Sequence, residues 1–223
     1  MKKIIGSLTL LSLIVMISLV VKTGSVHALS AIQLNPPEID KGKPFMQVLK
    51  ERKSQRDFSA QKLSSQDLSN LLWAANGVNR DDGRRTAPSA QNAQDVDIYV
   101  VMEEGIYLYE PKNHVLNPIA AGDYRRYAGS QGFVAAAPVN LVYVSDLSKI
   151  NWGISEADKI TVASLDTGFV AENVALFCAS EGMVSVPRLS VDRDALTPIL
   201  KLHPRQKIVL AHTVGYAKVK EGN

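Results

Sequence analysis

Arg52-Lys53-Ser54-Gln55-Arg56 follows an apolar run with helical spacing, and Thr86-Ala87-Pro88-Ser89-Ala90-Gln91-Asn92 precedes a segment rich in β-branched residues. The first tract gathers two guanidinium groups, an ammonium group and a hydroxyl within five residues, and these can neutralise and hydrogen-bond a phosphate. The second tract has short side chains and a proline, which suit close approach to a flat polar ring. Each tract alone is weak evidence, since basic residues near helix ends are usually solvated and Pro, Ser and Asn are common in loops.

The C-terminal part of the chain contains two further segments of interest. Glu181-Gly182-Met183-Val184-Ser185-Val186-Pro187-Arg188-Leu189-Ser190-Val191-Asp192 combines a glycine, a short β-branched run, a proline and a turn. Val214-Gly215-Tyr216-Ala217-Lys218-Val219-Lys220 ends in two cations. From the residues alone, the first is equally well a strand-to-helix turn with Asp192 as the helix N-cap, and the second is equally well a frayed basic tail.

In their order and separation, the four segments resemble those of the FMN-dependent nitroreductase family, and the resemblance covers roughly residues 44–220. Residues 52–56 are similar to the family's Arg-x-Ser-x-Arg/Lys phosphate segment, and residues 88–92 to its Pro-Ser-x-x-Asn flavin loop. Leu189-Ser190 stands at the turn over the flavin, where many members have an acid and a glycine, and Ala217 replaces the proline of a terminal Gly-Tyr-Pro turn. The run Arg85-Thr86-Ala87-Pro88-Ser89-Ala90 looks closest to the azoline-oxidising (thiazole- and oxazole-forming) dehydrogenase-like branch.

The resemblance implies an α+β, nitroreductase-like fold, with a central, mainly antiparallel sheet flanked by helices and FMN at the interface of a homodimer. It implies an FMN-dependent oxidoreductase, of nitroreductase or dehydrogenase type, that exchanges electrons with a small organic substrate in two steps through flavin N5. A non-catalytic, flavin- or ligand-binding exported domain is the alternative. No catalytic side chain and no metal site are implied.

The residues that the resemblance implies for cofactor binding come from all four segments. Arg52 and Ser54 would hold the phosphate with Lys218, and Arg56 would lie nearer the pyrimidine edge. Residues 88–92 would come from the partner subunit, or at least lie against the ring. The full set is Arg52, Lys53, Ser54, Arg56, Pro88, Ser89, Ala90, Gln91, Asn92, Pro187, Leu189, Ser190, Lys218 and Lys220.

The order of secondary-structure elements independently predicts the α+β class, because strands and helices alternate without a regular βαβ period. Loops at residues 79–85 and 121–133 are expected to line the substrate entrance. Strands are predicted at residues 96–102, 106–109, 139–144, 184–186 and 208–214, and helices at residues 45–49, 64–76, 155–181 and 192–200.

Residues 1–28 are predicted to be a Sec-type signal peptide. Lys2-Lys3 precedes an apolar run at residues 4–21, and Val26-His27-Ala28 offers small residues at a cleavage point. Because the run nearly reaches membrane-spanning length, an uncleaved anchor is the alternative. Residues 29–43 would then be an extended lead-in and residues 44–223 the FMN-binding domain. The domain is expected to be exported, periplasmic or secreted, or else anchored by residues 4–21, its only predicted membrane contact.

The charge balance argues against nucleic acid as a partner. Removing residues 1–28 deletes three lysines and no acid, which leaves equal numbers of basic and acidic residues, so the formal charge of +3 belongs to the targeting segment. Export conflicts with NAD(P)H, the usual donor in the family, because that compound is cytoplasmic. Cys178 is the only cysteine; it permits no internal disulfide, and its apolar setting predicts a buried core residue.

Overall fold

The computed structural model describes residues 28–218. Nearly all of the predicted signal peptide, and Lys220 of the predicted phosphate site, lie outside the described residues. The strands are β1 (Ile32–Gln33), β2 (Val96–Val101), β3 (Gly105–Glu110), β4 (Val115–Ala121), β5 (Val139–Asp146), β6 (Val184–Arg188) and β7 (Gln206–Gly215). The helices are α1 (Phe45–Glu51), α2 (Ser65–Asn76), α3 (Gly132–Ala136), α4 (Glu156–Glu181) and α5 (Arg193–Ile199), with short 3-10 turns at Ala90–Asn92 and Arg125–Ala128.

The described strands form one seven-stranded sheet in the order β1-β4-β3-β2-β5-β7-β6, and every neighbouring pair is antiparallel. The predicted α+β class, with an antiparallel sheet flanked by helices, is therefore confirmed. The sequence did not predict β1 and β4. β4 contains Asn117 and Pro118, which interrupt a strand pattern, and β1 has only two residues, too few to show a period.

Helices cover both faces of the sheet because its central strands are apolar on both sides. In β2, Val100 belongs to the core cluster beneath α2 and α4, whereas Tyr99 and Val101 belong to the cluster that includes residues of α5. This alternation is the two-residue period of a strand. All residues of β5 are buried, so this strand lies at the centre of the domain.

Helix α4 has one buried and one exposed face. Ser155 starts it by accepting a hydrogen bond from the Asp158 amide, and Gly182 ends it in the left-handed conformation with φ 70°. Leu165 and Phe169 on the outer face are 60% and 47% exposed. The length and composition of α4 would suit a membrane span, but 44% of its most apolar window is buried inside the protein, which is typical of a core helix.

The strand register defines two ends of the sheet. At the near end, Val101 pairs with Asn140 and Val184 pairs with Gly215, so β2 and β7 finish there while β5 and β6 begin. Val96, the first residue of β2, lies at the far end. The length of β2 separates the two ends by about 20 Å, since a strand rises about 3.3 Å per residue.

Residues 29–43, the segment expected to be a lead-in, contain the short strand β1 and are packed onto the domain. β1 pairs with β4, the Leu34 amide donates to the His114 carbonyl at 3.1 Å, and Leu34 is buried in the core. The ring of His114 lies 2.7 Å from Ser69 Oγ and 2.9 Å from the Tyr109 hydroxyl. The lead-in is therefore continuous with the sheet and its core.

Candidate functional site

The basic tract, residues 52–56, runs from the end of α1 along the near end of the sheet. Arg52 stops the helix with backbone angles φ −57° and ψ 121°. The Gln55 amide donates to the Ser185 carbonyl of β6 at 3.0 Å, and the Lys218 amide donates to the Asp57 carbonyl at 3.1 Å. These hydrogen bonds bring the first and fourth segments of the sequence together beside β6.

The tract forms a positively charged surface. Lys53, Ser54, Arg56 and Lys218 are exposed, and within residues 28–218 none of the three cations makes an ion pair. Arg52 is half-buried, and its Nε lies 4.0 Å from a carboxylate oxygen of Glu172, at the limit of an ion pair. The surface therefore has an excess of positive charge and free donors, which fits a phosphate dianion.

The turn at residues 187–190 lies beside residues 128–133. Phe133 stacks on Phe58, just beyond the basic tract, with the ring centroids 5.5 Å apart. Ser190 Oγ donates to Gln131 Oε1 at 3.4 Å. The basic tract, the turn and residues 128–133 therefore border one surface.

The turn holds Leu189 and Ser190 without backbone strain. Neither Leu189 nor Ser190 has a positive φ, so the turn does not need the conformational freedom of the glycine that the resemblance implies. Among residues 28–218, neither amide has a hydrogen-bond partner. Both N–H groups can therefore donate to a ligand.

The polar loop, residues 88–92, lies at the far end of the sheet. The Ala90 amide donates to both carboxylate oxygens of Asp166 on α4, at 3.2 and 3.0 Å. Gln91 and Asn92 adopt left-handed conformations, with φ 49° and 55°, and are exposed. Within a single chain, the polar loop and the basic tract therefore do not come together.

The two loops that were expected to line the entrance lie in different places. Residues 79–85 lie beside the polar loop, where Gln94 Nε2 donates to the Gly83 carbonyl at 3.1 Å. The last part of residues 121–133 borders the turn at residues 187–190. Within a single chain, only the second of these two loops lies on the surface that the basic tract borders.

A buried carboxyl pair, Asp95 and Asp166, lies beneath the polar loop. Asp95 is fully buried, Asp166 is 3% exposed, and Ser145 Oγ donates to Asp95. Burial raises the pKa of Asp166 to about 7; the Ala90 amide opposes this rise, while hydrogen bonding to Asp95 and its negative charge add to it. Asp166 therefore holds a proton up to about neutral pH, next to the buried carboxyl of Asp95.

Other groups that often carry chemistry are buried. Cys178 is 1% exposed, as predicted, and burial raises the pKa of its thiol to about 12, which makes it unreactive. Burial, together with the positive charge of Arg188, lowers the pKa of His212 to about 3. In the described part of the chain, no three His, Cys, Asp or Glu side chains are grouped to hold a metal ion.

A comparison with known sequences identifies the family. The profile described as the nitroreductase family matches residues 49–216, from α1 to the end of β7 and Tyr216. The chain belongs to the nitroreductase family. Membership confirms the family predicted from the four segments and makes this nitroreductase-family chain an oxidoreductase.

Solved and curated relatives agree with this nitroreductase-family assignment. A crystal structure from Ralstonia eutropha JMP134, described as a nitroreductase, is 36% identical, has a TM-score of 0.81 and covers 88% of this chain and 93% of its own. A protein of Methanocaldococcus jannaschii named as a nitroreductase is 28% identical over 181 residues, 77% of this chain and 90% of that protein. A chain of the E. coli microcin synthetase McbBCD complex shares the fold alone, with a TM-score of 0.64 at 19% identity over 75% of this chain and 71% of its own.

The sequence patterns did not single out Arg188 as a site residue of this nitroreductase-family chain. It stands between Pro187 and Leu189, both of which were predicted to bind the cofactor, and is 6% exposed. Along β6, Val184, Val186 and Arg188 share one face. The two-residue period of this strand is therefore the sequence signal that could have indicated that Arg188 is buried.

Proposed function

We propose that this nitroreductase-family oxidoreductase binds FMN on the surface bordered by the basic tract, the turn at residues 187–190 and residues 128–133. The observation that carries the proposal is the meeting of Lys53, Arg56 and Lys218, three cations without ion pairs to described residues, beside β6. Such a cluster repels itself unless an anion occupies it. The turn, with two free amides, begins at the other end of the same short strand.

FMN, when bound, supplies the two-electron exchange at N5. Arg52, Ser54 and Lys218 hold its phosphate, and Arg56 faces the pyrimidine edge, where a cation stabilises the negative charge that reduction adds. The amides of the turn donate towards the ring. Phe58 and Phe133 exclude water from one side of the site, since their stacked rings present apolar surface.

We further propose a homodimer in which each site takes residues from both chains. The basic tract and the polar loop lie at opposite ends of the sheet, about 20 Å apart, so both can reach one FMN only if a second chain supplies the polar loop. A two-fold axis would then create two equivalent sites. Exposed apolar side chains offer the surface for such a dimer: Phe45, Met46 and Leu49 of α1, with Leu165 and Phe169 of α4.

Leu165→Glu is expected to convert the dimer to a monomer, because it would place two carboxylates in the apolar interface, one from each chain. The mass in solution, measured by light scattering after gel filtration, should halve, and bound FMN should fall with it. Asn113→Glu, on the exposed β3–β4 turn, adds the same charge and should leave both unchanged. A Leu165→Glu protein that stays dimeric would contradict the proposed interface.

The predicted signal peptide bears on where the enzyme acts and on which compound donates electrons to it. We propose that residues 1–28 direct export and are cleaved, and that the enzyme outside the cytoplasm oxidises a small organic substrate and passes electrons to oxygen or a quinone. If residues 4–21 instead anchor an internal domain, NAD(P)H is the donor. Sequencing the N-terminus of the native protein separates the two: a mature start at Leu29 supports export.

The purified protein is expected to be yellow and to contain one FMN per chain. An electron donor added without oxygen should bleach the flavin absorption, and air should restore it. A protein that stays colourless after incubation with excess FMN would refute flavin binding. Bound flavin that dithionite reduces, but that NADH, NADPH and azoline-containing peptides do not reduce, would favour the non-catalytic alternative, for which Leu189-Ser190 at the turn is the motivating observation.

A further inference from the structure

Arg188 is a buried cation whose hydrogen-bond acceptors are all neutral. Nη1 donates to the Ala128 carbonyl at 2.7 Å and to the Ser190 carbonyl at 3.1 Å. Nη2 donates to Asn140 Oδ1 at 3.0 Å and to Thr213 Oγ1 at 2.6 Å, and Nε also donates to Thr213 Oγ1, at 3.2 Å. The guanidinium therefore has partners for its donors but, within residues 28–218, no carboxylate at ion-pair distance.

The surrounding chain is shaped to hold this guanidinium. A Cβ atom at Gly129 would collide with Nη1 of Arg188 and would lie 2.8 Å from the Ser190 carbonyl oxygen, so only glycine leaves room for the arginine at that point. Asn140 of β5 and Thr213 of β7 are fully buried and hydrogen-bond each other at 2.6 Å. Four separate stretches of the chain therefore meet at one side chain.

Arg188 keeps its charge at neutral pH. Burial lowers the pKa of its guanidinium to about 10, still well above 7, and the neighbouring His212 is neutral. A buried charge without a counter-charge is costly, and a hydrophobic residue at this position of β6 would avoid that cost. Arg188 is the last residue of β6 and directly precedes Leu189 and Ser190, whose amides have no hydrogen-bond partner among the described residues, and this position suggests what the charge does.

We propose that Arg188 is a positioning residue that fixes the turn through the Ser190 carbonyl and raises the reduction potential of bound flavin by its buried positive charge. This rests on the proposed function. Reduction adds negative charge to the flavin ring, and a fixed cation in a low-dielectric setting favours that state more than exposed cations do. The exposed lysines and arginines of the basic tract are screened by salt, whereas Arg188 is not.

The test is the midpoint potential of bound FMN in Arg188→Met. We expect the ratio of the affinity for reduced FMN to the affinity for oxidised FMN to be at least tenfold lower in the variant than in wild type. For a two-electron couple, this corresponds to a fall of about 30 mV in the midpoint potential. The fall should be nearly the same at low and high salt. Arg193→Met is the matched control, because this arginine is exposed and also donates to the turn, at the Leu189 carbonyl. Its removal should change the ratio of the two FMN affinities less than about twofold.

Two further variants separate charge from structure and cover the case in which Arg188→Met does not fold. Asn140→Asp keeps the arginine and places a carboxylate against Nη2, so it should lower the potential in the same direction. Thr213→Val removes hydrogen bonds but no charge, so it should weaken FMN binding without shifting the potential. An unchanged midpoint potential in both Arg188→Met and Asn140→Asp would overturn the inference. A fall in the potential of Thr213→Val as large as that in the other two variants would also overturn it. A wild-type protein that binds no FMN would instead refute the proposed function.

Discussion

Two variants that each lose FMN are expected to recover about a quarter of the flavin sites when they are mixed. The first variant, Arg52→Ala with Lys218→Ala, removes two cations from the basic tract. The second, Gln91→Glu with Asn92→Asp, makes the polar loop acidic while nearly preserving its shape. If each site joins the basic tract of one chain to the polar loop of the other, a heterodimer contains one intact site and one doubly altered site.

Random pairing makes half of the dimers heterodimers, so about one site in four is intact. The first variant alone should bind FMN at least about a hundredfold more weakly than wild type, since charge-assisted phosphate hydrogen bonds contribute about 1.5–3 kcal/mol each. The second should also lose FMN, because two carboxylates would replace the neutral amides that are proposed to lie against the flavin ring. Equimolar chains would be co-expressed, and FMN content measured by absorption after gel filtration. Lys112→Ala with Lys207→Ala removes the same charge elsewhere and should retain full FMN content.

The mixture distinguishes composite sites from sites within one chain. If the polar loop belonged to the same site as the tract of its own chain, every site in a heterodimer would carry one altered element and the mixture would stay empty. If the polar loop did not contact FMN at all, the second variant alone would bind normally. Either result would contradict the proposed dimer.

Asp166→Asn is expected to stabilise the protein above neutral pH. The pKa of Asp166 is about 7 in the folded protein against an ordinary value of 3.8, so the folded state binds the proton more tightly. The contribution of this proton to the free energy of unfolding is fully present below about pH 4 and is lost as the pH rises through about 7. Asparagine cannot ionise and should avoid this loss.

The geometry favours the asparagine as well. Its oxygen can accept from the Ala90 amide, and its amide can donate to Asp95 Oδ1, a buried atom without a hydrogen-bond partner among the described residues. We expect Asp166→Asn to exceed wild type by about 2–4 kcal/mol in free energy of unfolding at pH 8. The two proteins should converge as the pH falls towards 4.

Urea titrations at several pH values measure this difference, and Asp81→Asn on the exposed loop at residues 79–85 is the matched control. A difference between wild type and Asp166→Asn that does not grow between pH 4 and pH 8 would show that folding does not raise the pKa of Asp166.

The sequence predicted the central elements because their signals are local. Ser64 accepts from the Asp67 amide at the start of α2, as a helix-start motif should. The apolar runs at residues 98–101 of β2 and 141–144 of β5 mark strands buried on both faces. The basic tract and the chain segment around Lys218, which the resemblance assigned to one phosphate site, lie together at the near end of the sheet. Pairing between distant segments, such as β1 with β4, leaves no comparable trace in the local pattern.

What the sequence could not predict depends on long-range packing. Gly129 and Arg188 stand far apart in the sequence, and nothing local to either indicates that one makes room for the other. The placement of the polar loop at the far end depends on sheet register, because a loop takes its position from the strand that follows it. The separation of the polar loop from the basic tract is therefore visible only once the register of β2, β5 and β6 is known.

The pairing of β1 with β4 determines where a recombinant fragment should begin. A fragment starting at Pro44 would remove β1 together with Leu34, and it would leave the backbone N–H and C=O groups of β4 open to solvent at the border of the sheet. Unpaired strand borders of this kind recruit other chains into fibrils and inclusion bodies. Cloning from Leu29 keeps that border closed, so the segment that looks dispensable in the sequence protects solubility.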